Sequence, residues 1–93
     1  MKTETEPSKT SSPEMQATFS MLIMSIASNS LMAMGHSPDP QTGKTEVDKP
    51  LAKFNIELLL TLKDKTKNNL NPDEQGLLEH IVQDLQVKFI QLK

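Results

Sequence analysis

The string Gly43-Lys44-Thr45 is the part of this chain whose residue types most suggest chemistry, because a phosphate-binding P-loop ends in the same three residues. The complete motif also needs a glycine five positions earlier, so that backbone N–H groups can curl round the phosphates. Pro38 stands at that position, and proline has a fixed φ and no N–H to donate. No buried strand precedes the string and no helix is predicted to begin at Lys44. We therefore interpret the string as part of a turn-rich loop, in which Asp39 bonds back to the backbone and Gly43 supplies a positive φ.

Acid–base catalysis and metal binding are the other chemistries to consider. His36 and His80 are the two histidines, and the chain has no cysteine. His80 directly follows Glu79 in a predicted helix, where neighbouring residues point to different sides. No nucleophile, base and orienting group come together in the sequence. Two histidines without a thiolate are too few for a convincing metal site, although carboxylates could join them. We expect no enzyme activity, no metal and no cofactor.

The charged residues argue against a nucleic-acid partner. The net charge is -2, and every one of the 10 cationic side chains is lysine. Arginine, whose planar fork reads phosphates and guanine edges, is absent, and so are tryptophan and tyrosine, which stack on bases. We therefore expect protein partners rather than nucleic acid.

The length of the chain points to association with itself. A chain of 93 residues forms one small domain with a modest core, and such domains usually need disulfides, a metal or a partner subunit for stability. Without cysteine, disulfides are excluded, and a second copy of the chain is the natural addition. The absence of cysteine also fits a reducing cytoplasm, which is the localisation we expect.

The first predicted helix, residues 15–34, follows a segment 1–14 that is rich in Ser, Thr, Pro and Glu and that we expect to be a disordered tail. The helix carries no charge, is apolar on more than one stripe and is rich in methionine, a side chain that adapts to irregular contacts. Gly35 is the predicted cap at its end. One side should face the other helices and the other side a second copy of the chain. The residues expected at this self-interface are Phe19, Leu22, Ile23, Met24, Ile26, Ala27, Leu31 and Met34.

A membrane location is the main alternative for this helix. Its charge-free run from Phe19 to Met34 would be roughly 24 Å long, whereas a bilayer core needs about 30 Å. The run also contains Ser20, Ser25 and Asn29, which favour packing against protein. We therefore expect the helix to pack against protein, and a helix inserted in or resting on the bilayer is the alternative.

The second and third helices have clear start signals. Asp48 caps a predicted helix at 50–67 with Pro50 in its first turn, and Asn71 with Glu74 forms a capping box for a helix at 72–91. The two helices form an antiparallel hairpin joined by residues 68–71. The side chains expected to lie inward, wholly or partly, in the second helix are Leu51, Phe54, Ile56, Leu58, Leu59 and Leu62. In the third helix the apolar period falls at 77, 78, 81, 82, 85, 89 and 92. Residues 43–48 could add a short extended piece to the loop.

From residue 19 to 92 the sequence resembles the small bacterial family known as domain of unknown function 1844. The elements that carry the resemblance are the helix Ser25–Gly35, the loop Pro38–Gly43, Ala52-Lys53, Ile56-Glu57, Lys65-Thr66, Asn69-Leu70, Glu74 and Leu77-Leu78. The sequence departs from the family pattern at Asn68 (glycine expected), Gln86 (arginine) and Phe89 (tyrosine). The resemblance implies a helical cytoplasmic bacterial protein without an established activity. It also implies that the loop is more than a spacer.

These observations predict an all-α three-helix domain over residues 15–93 that forms a homodimer. We expect a non-catalytic protein–protein interaction module that associates with itself through the first helix and binds an unknown protein partner. A small-ligand site near residues 35–45 is a third possibility beside the membrane alternative. The loop residues expected at a partner surface are His36, Pro38, Asp39, Pro40, Gly43 and Lys44.

Overall fold

The computed structural model describes residues 16–92 and contains three helices, α1 (Phe19–Ala33), α2 (Lys49–Lys65) and α3 (Pro72–Ile90). Within this range there is no strand, and the one extended pairing is an isolated antiparallel bridge between Met34 and Val47. The predicted all-α three-helix fold is therefore confirmed. The tail predicted at 1–14 lies outside the described residues.

The sequence predicted the end of α1 correctly but not its start. The predicted start at residue 15 is wrong, because Thr18 caps the helix by accepting a hydrogen bond from the Met21 N–H at 3.1 Å. The predicted glycine cap is confirmed: Gly35 has a φ of 82°. The amide of His36 donates to Leu31 O at 2.9 Å, which together with the Gly35 amide closes the helix end.

The start signals of α2 and α3 are confirmed by their hydrogen bonds. The Oδ1 of Asp48 accepts from the Leu51 N–H at 3.1 Å. The Oδ1 of Asn71 accepts from the Glu74 N–H at 2.8 Å, and the Glu74 carboxylate accepts from the Asn71 N–H at 3.0 Å. In the turn between the helices, Asn68 has a φ of 70°, a conformation that favours glycine. This conformation is consistent with the glycine that the resemblance leads us to expect at this position.

The core lies where the three helices meet. Small residues bring α1 and α2 close together: Ser30 and Ala52 are fully buried, and the Ser30 hydroxyl donates to Ala52 O at 3.5 Å. Because Asp48 N–H also donates to Ala33 O at 2.7 Å, the start of α2 lies beside the end of α1, and the two helices are antiparallel. The buried apolar residues are Ile23, Ala27, Ala33, Met34, Ala52, Ile56, Leu59, Leu78, Val82 and Leu85.

The segment that connects α1 to α2 returns over the end of α1. Val47, in the stretch 43–48 that could form an extended piece, pairs with Met34. Gly35 is packed against this return, because a Cβ added to it would lie 3.0 Å from Cγ2 of Val47. The turn after α1 thus depends on a residue that has neither a side chain nor a preference for negative φ.

Replacing Gly35 with alanine should destabilise the fold, whereas replacing Gly76 with alanine should stabilise it. At Gly35 the left-handed backbone costs an alanine about 1–2 kcal/mol, before any contact of the new Cβ with Val47 is counted. At Gly76, inside α3 with open space around it, alanine should add about 0.5–1 kcal/mol. Urea unfolding followed by circular dichroism measures both variants. A Gly35→Ala protein as stable as the parent would contradict this account of the turn.

Candidate interaction surface

The outer side of α1 is apolar and open to solvent. Met21, Leu22 and Met24 are exposed to 44%, 47% and 46%, and the helix has no charged side chain in its 15 residues. Ser25, Ser28 and Asn29 are the other exposed residues of α1. Large exposed apolar side chains on one helix are worth explaining, because scattered single ones are ordinary and grouped ones mark contact sites.

A second exposed apolar row runs along α2. Leu51, Phe54 and Leu58 are exposed to 47%, 55% and 37% and follow one another at spacings of three and four residues, so they share one side of the helix. The sequence predicted these three side chains to lie inward, wholly or partly, and in the structure all three are exposed. Ile56 and Leu59 are buried instead, together with the polar Asn55 and the small Ala52.

The eight residues predicted at a self-interface divide into three groups. Ile23, Ala27 and Met34 are buried in the core of the chain itself, so in the described fold they are not available to a partner. Phe19, Ile26 and Leu31 are half-buried and pack against that core. Leu22 and Met24 are exposed. The sequence did not single out Met21, Leu51, Phe54 or Leu58 for this surface, although their spacing was visible.

A cleft of about 330 Å³ lies between the end of α1, the first turns of α2 and the loop. Met32, Leu51 and Phe54 contribute its apolar wall, and Asp39, Lys44, Glu46 and Asp48 contribute charged groups. Asn55, 5% exposed, also lines the cleft, and its Nδ2 donates to Leu51 O at 3.0 Å. Among residues 16–92 no donor reaches the Oδ1 of Asn55, and a buried amide oxygen without a partner is uncommon.

The loop 38–44 is held by its own hydrogen bonds, which confirms the predicted turn. Asp39 accepts from the Gln41 N–H through Oδ1 at 2.8 Å and from the Gly43 N–H through its carbonyl at 2.7 Å. The amide of Lys44 donates to the Thr42 hydroxyl at 3.2 Å. These amides would have to face a phosphate in a P-loop, and here they are already paired. In addition, α2 begins at Lys49, five residues after Lys44, and not at Lys44.

The residues predicted at a partner loop are not brought together in one site. Asp39 and Lys44 line the cleft, whereas Pro38, Pro40 and Gly43 are exposed without contributing to it. His36 is exposed at the other side of the turn. Its charge, with that of His80, acts weakly on Asp84 in α3. A ligand near residues 35–45 would therefore lie in the cleft, whose lining residues include neither histidine.

One ion pair on α3 is well formed. Lys88 Nζ lies 2.8 Å from Asp84 Oδ1, on the exposed side of the helix, as the i,i+4 spacing predicts. The hydrogen bond from Lys88 is the main cause that lowers the pKa of the Asp84 carboxyl, and the positive charges of Lys88, His80 and His36 add to it.

A separate apolar crevice lies between α2 and α3. Leu60, Phe89 and Ile90 line it, and Ile90 is 80% exposed. Lys49 Nζ stands 5.8 Å from the centre of the Phe89 ring on a neighbouring part of the surface. Gln86 and Phe89, two of the residues that depart from the family pattern, both border this crevice.

Comparisons with known proteins give one result. The model of the family described as Domain of unknown function (DUF1844) matches residues 16–91. No curated protein and no solved structure matches the chain. Of the three helices that the structure describes, none combines the length and the hydropathy needed to cross a bilayer.

Replacing Asp39 with alanine should loosen the loop with little loss of overall stability. The change removes the side-chain acceptor of the Gln41 amide, an exposed hydrogen bond worth about 1 kcal/mol or less. We expect faster hydrogen exchange at the Gln41 amide and a nearly unchanged unfolding midpoint. Asp39→Asn, which keeps an oxygen in place, is the control and should exchange as the parent does. Equal exchange in all three proteins would show that this bond does not hold the loop.

Replacing Lys88 with glutamine should raise the pKa of Asp84 towards its ordinary value of 3.8. Because the folded-state pKa lies below that value, the pair stabilises the fold above the ordinary pKa. This contribution is lost as the pH falls through the lowered pKa. Carbon NMR titration of the Asp84 carboxyl carbon measures the change, with Lys67→Gln as a control that removes a lysine elsewhere. A pKa unaltered by Lys88→Gln would contradict the assigned cause.

Proposed function

We propose that this chain, which belongs to the family described as Domain of unknown function (DUF1844), is a non-catalytic helical module that binds protein and associates with itself through α1. The observation that carries the proposal is the outer side of α1, where Met21, Leu22 and Met24 are each nearly half exposed on a helix without charges. Burying such side chains against protein gains roughly 25 cal/mol per Å². In a domain this small, that gain is a useful addition to a limited core.

The proposal of a non-catalytic role rests on the chemistry of the described surface. The two histidines lie on exposed parts of the turn and of α3, and neither lines the cleft beside the loop or the crevice between α2 and α3. The amides of the loop that a phosphate would need are paired within the loop. We place the module in the reducing cytoplasm of a bacterium, since the chain has no cysteine and its family resemblance is bacterial.

A helix resting on a bilayer surface is the competing use of the same side chains. Helices of that kind carry lysine or arginine on the polar side, where these residues meet lipid headgroups. The polar residues of α1 are serine and asparagine, and no cation lies between Phe19 and Gly35. The composition of α1 therefore favours a protein neighbour over a lipid one.

Leu22→Glu tests the proposal. The parent protein should be a dimer in size-exclusion chromatography with light scattering, and it should dissociate on dilution without detergent. A charge at the exposed Leu22 should raise the dissociation constant about tenfold or more, since truncated or charged anchor residues cost over 1 kcal/mol in an interface.

Gln83→Glu is the matched control, because it adds the same charge at an exposed position of α3. It should leave the dissociation constant unchanged. A parent protein that is monomeric at every concentration would refute self-association. In that case, sedimentation with anionic phospholipid vesicles would test the bilayer alternative.

A further inference from the structure

We infer that the self-association surface is a two-fold interface formed by α1 together with the α2 row Leu51, Phe54 and Leu58, and that its occupant is a second copy of this chain. The inference rests on the proposed function and extends it, because that function needs only α1. It names a second helix, the symmetry of the contact and the residues that enter it.

The two rows form one continuous face. Asn29 of α1 and Leu51 of α2 line the same cleft. Leu22 lies two turns before Asn29, and Leu58 lies two turns after Leu51. Because α1 and α2 are antiparallel, these steps lead in the same direction along the molecule. Leu22 and Leu58 therefore extend the apolar face away from the cleft on both helices.

The face of α1 alone is too small for a stable dimer interface. A stable interface buries about 800 Å² on each partner. With 15 residues, α1 is about 22 Å long, and one helix face about 10 Å wide covers on the order of 200 Å² in projection. Even with the relief of side chains, α1 alone falls short of a stable interface. The neighbouring face of α2, which is 17 residues long, brings the projected area to on the order of 500 Å², before the relief of the side chains is counted.

The exposed residues of α1 and the α2 row carry no charge, which favours a second copy as the occupant. In a two-fold contact the same patch meets itself, so a charged residue near the axis would face a like charge. None of the exposed residues of α1 is charged, and the α2 row of Leu51, Phe54 and Leu58 is also apolar. A surface without charge gives an unlike partner little electrostatic complementarity to recognise. The charges near this face come from Asp39, Lys44, Glu46 and Asp48, which line the cleft and belong to the loop and to the cap of α2.

The shape of the face also suits contact with itself. Phe54 is a large ring, 55% exposed, beside the cleft that it partly lines. The same surface thus has both a protruding side chain and a concave site, and a two-fold axis lets each copy offer one to the other. Asn55 lines this cleft, and its Oδ1 accepts no hydrogen bond from residues 16–92. A donor from the second copy would satisfy it.

Leu58→Glu and Leu60→Glu form the decisive pair of variants. Both leucines are on α2 and both are 37% exposed, but Leu58 belongs to the proposed face and Leu60 borders the crevice towards α3. In a dilution series by light scattering, Leu58→Glu should raise the dissociation constant about tenfold or more. Leu60→Glu should change it less than about twofold, which is below the effect of an interface anchor.

The outcomes separate the inference from the proposed function. A parent protein that stays monomeric overturns both. A dimer weakened by Leu22→Glu but not by Leu58→Glu overturns the inference alone, because α1 then associates without α2. Equal weakening by Leu58→Glu and Leu60→Glu, or weakening by Leu60→Glu alone, also overturns it, since the effect would not follow the face.

A measurement on the parent protein guards against variants that fail to fold. Leucine methyl signals, assigned by NMR, are followed as the protein is diluted from dimer to monomer. The methyl groups of Leu51 and Leu58 should shift with the dimer fraction, and those of Leu60 should not. A shift confined to Leu22, or one that includes Leu60 equally, would contradict the proposed face without any substitution.

Discussion

The close approach of α1 to α2 is the contact on which the rest of the structure depends. Ser30 and Ala52 are both fully buried, and the Ser30 hydroxyl reaches the Ala52 carbonyl. Small residues must face each other for two helix backbones to come this close, so α1 turns Ala27, Ser30 and Ala33 inward. Because these small residues occupy the inner side of a helix without charges, larger apolar residues lie on its outer side. The exposure of Met21 and Met24 is thus a consequence of how the core is packed.

The same contact dictates the path of the loop. Because the start of α2 lies against the end of α1, the chain must reverse at once after Met34, and Gly35 supplies the backbone conformation that allows it. The chain then returns to pair Val47 with Met34. Between these points the loop is held by Asp39, whose hydrogen bonds make it a compact wall of the cleft. A rigid wall next to an exposed ring is a useful shape for recognition, since little ordering entropy is lost on contact.

Short-range signals in the sequence predicted the parts of the fold that short-range chemistry decides. The caps at Asp48 and Asn71 and the glycine after α1 could be recognised because each acts within one turn. The period of α3 indicated its buried side for the same reason. The orientation of α1 could not be predicted, because a helix without charges that is apolar on more than one stripe has no single preferred side. In the leucine-rich α2, the burial of Asn55 and the exposure of Phe54 follow from tertiary packing against small residues of α1, which outweighs hydrophobicity.

The two exposed apolar regions differ in a way that separates their roles. At the crevice between α2 and α3, Phe89 is half-buried and Gln86 brings a polar amide to the border. Lys49 lies over the Phe89 ring, and a cation in that position partly shields the ring from water. No side chain of the described residues shields Phe54 in this way, and its ring stands beside a cleft lined by Asn55, whose Oδ1 accepts no hydrogen bond from residues 16–92. Of the two regions, the face of α1 and α2 therefore has more to gain from a partner.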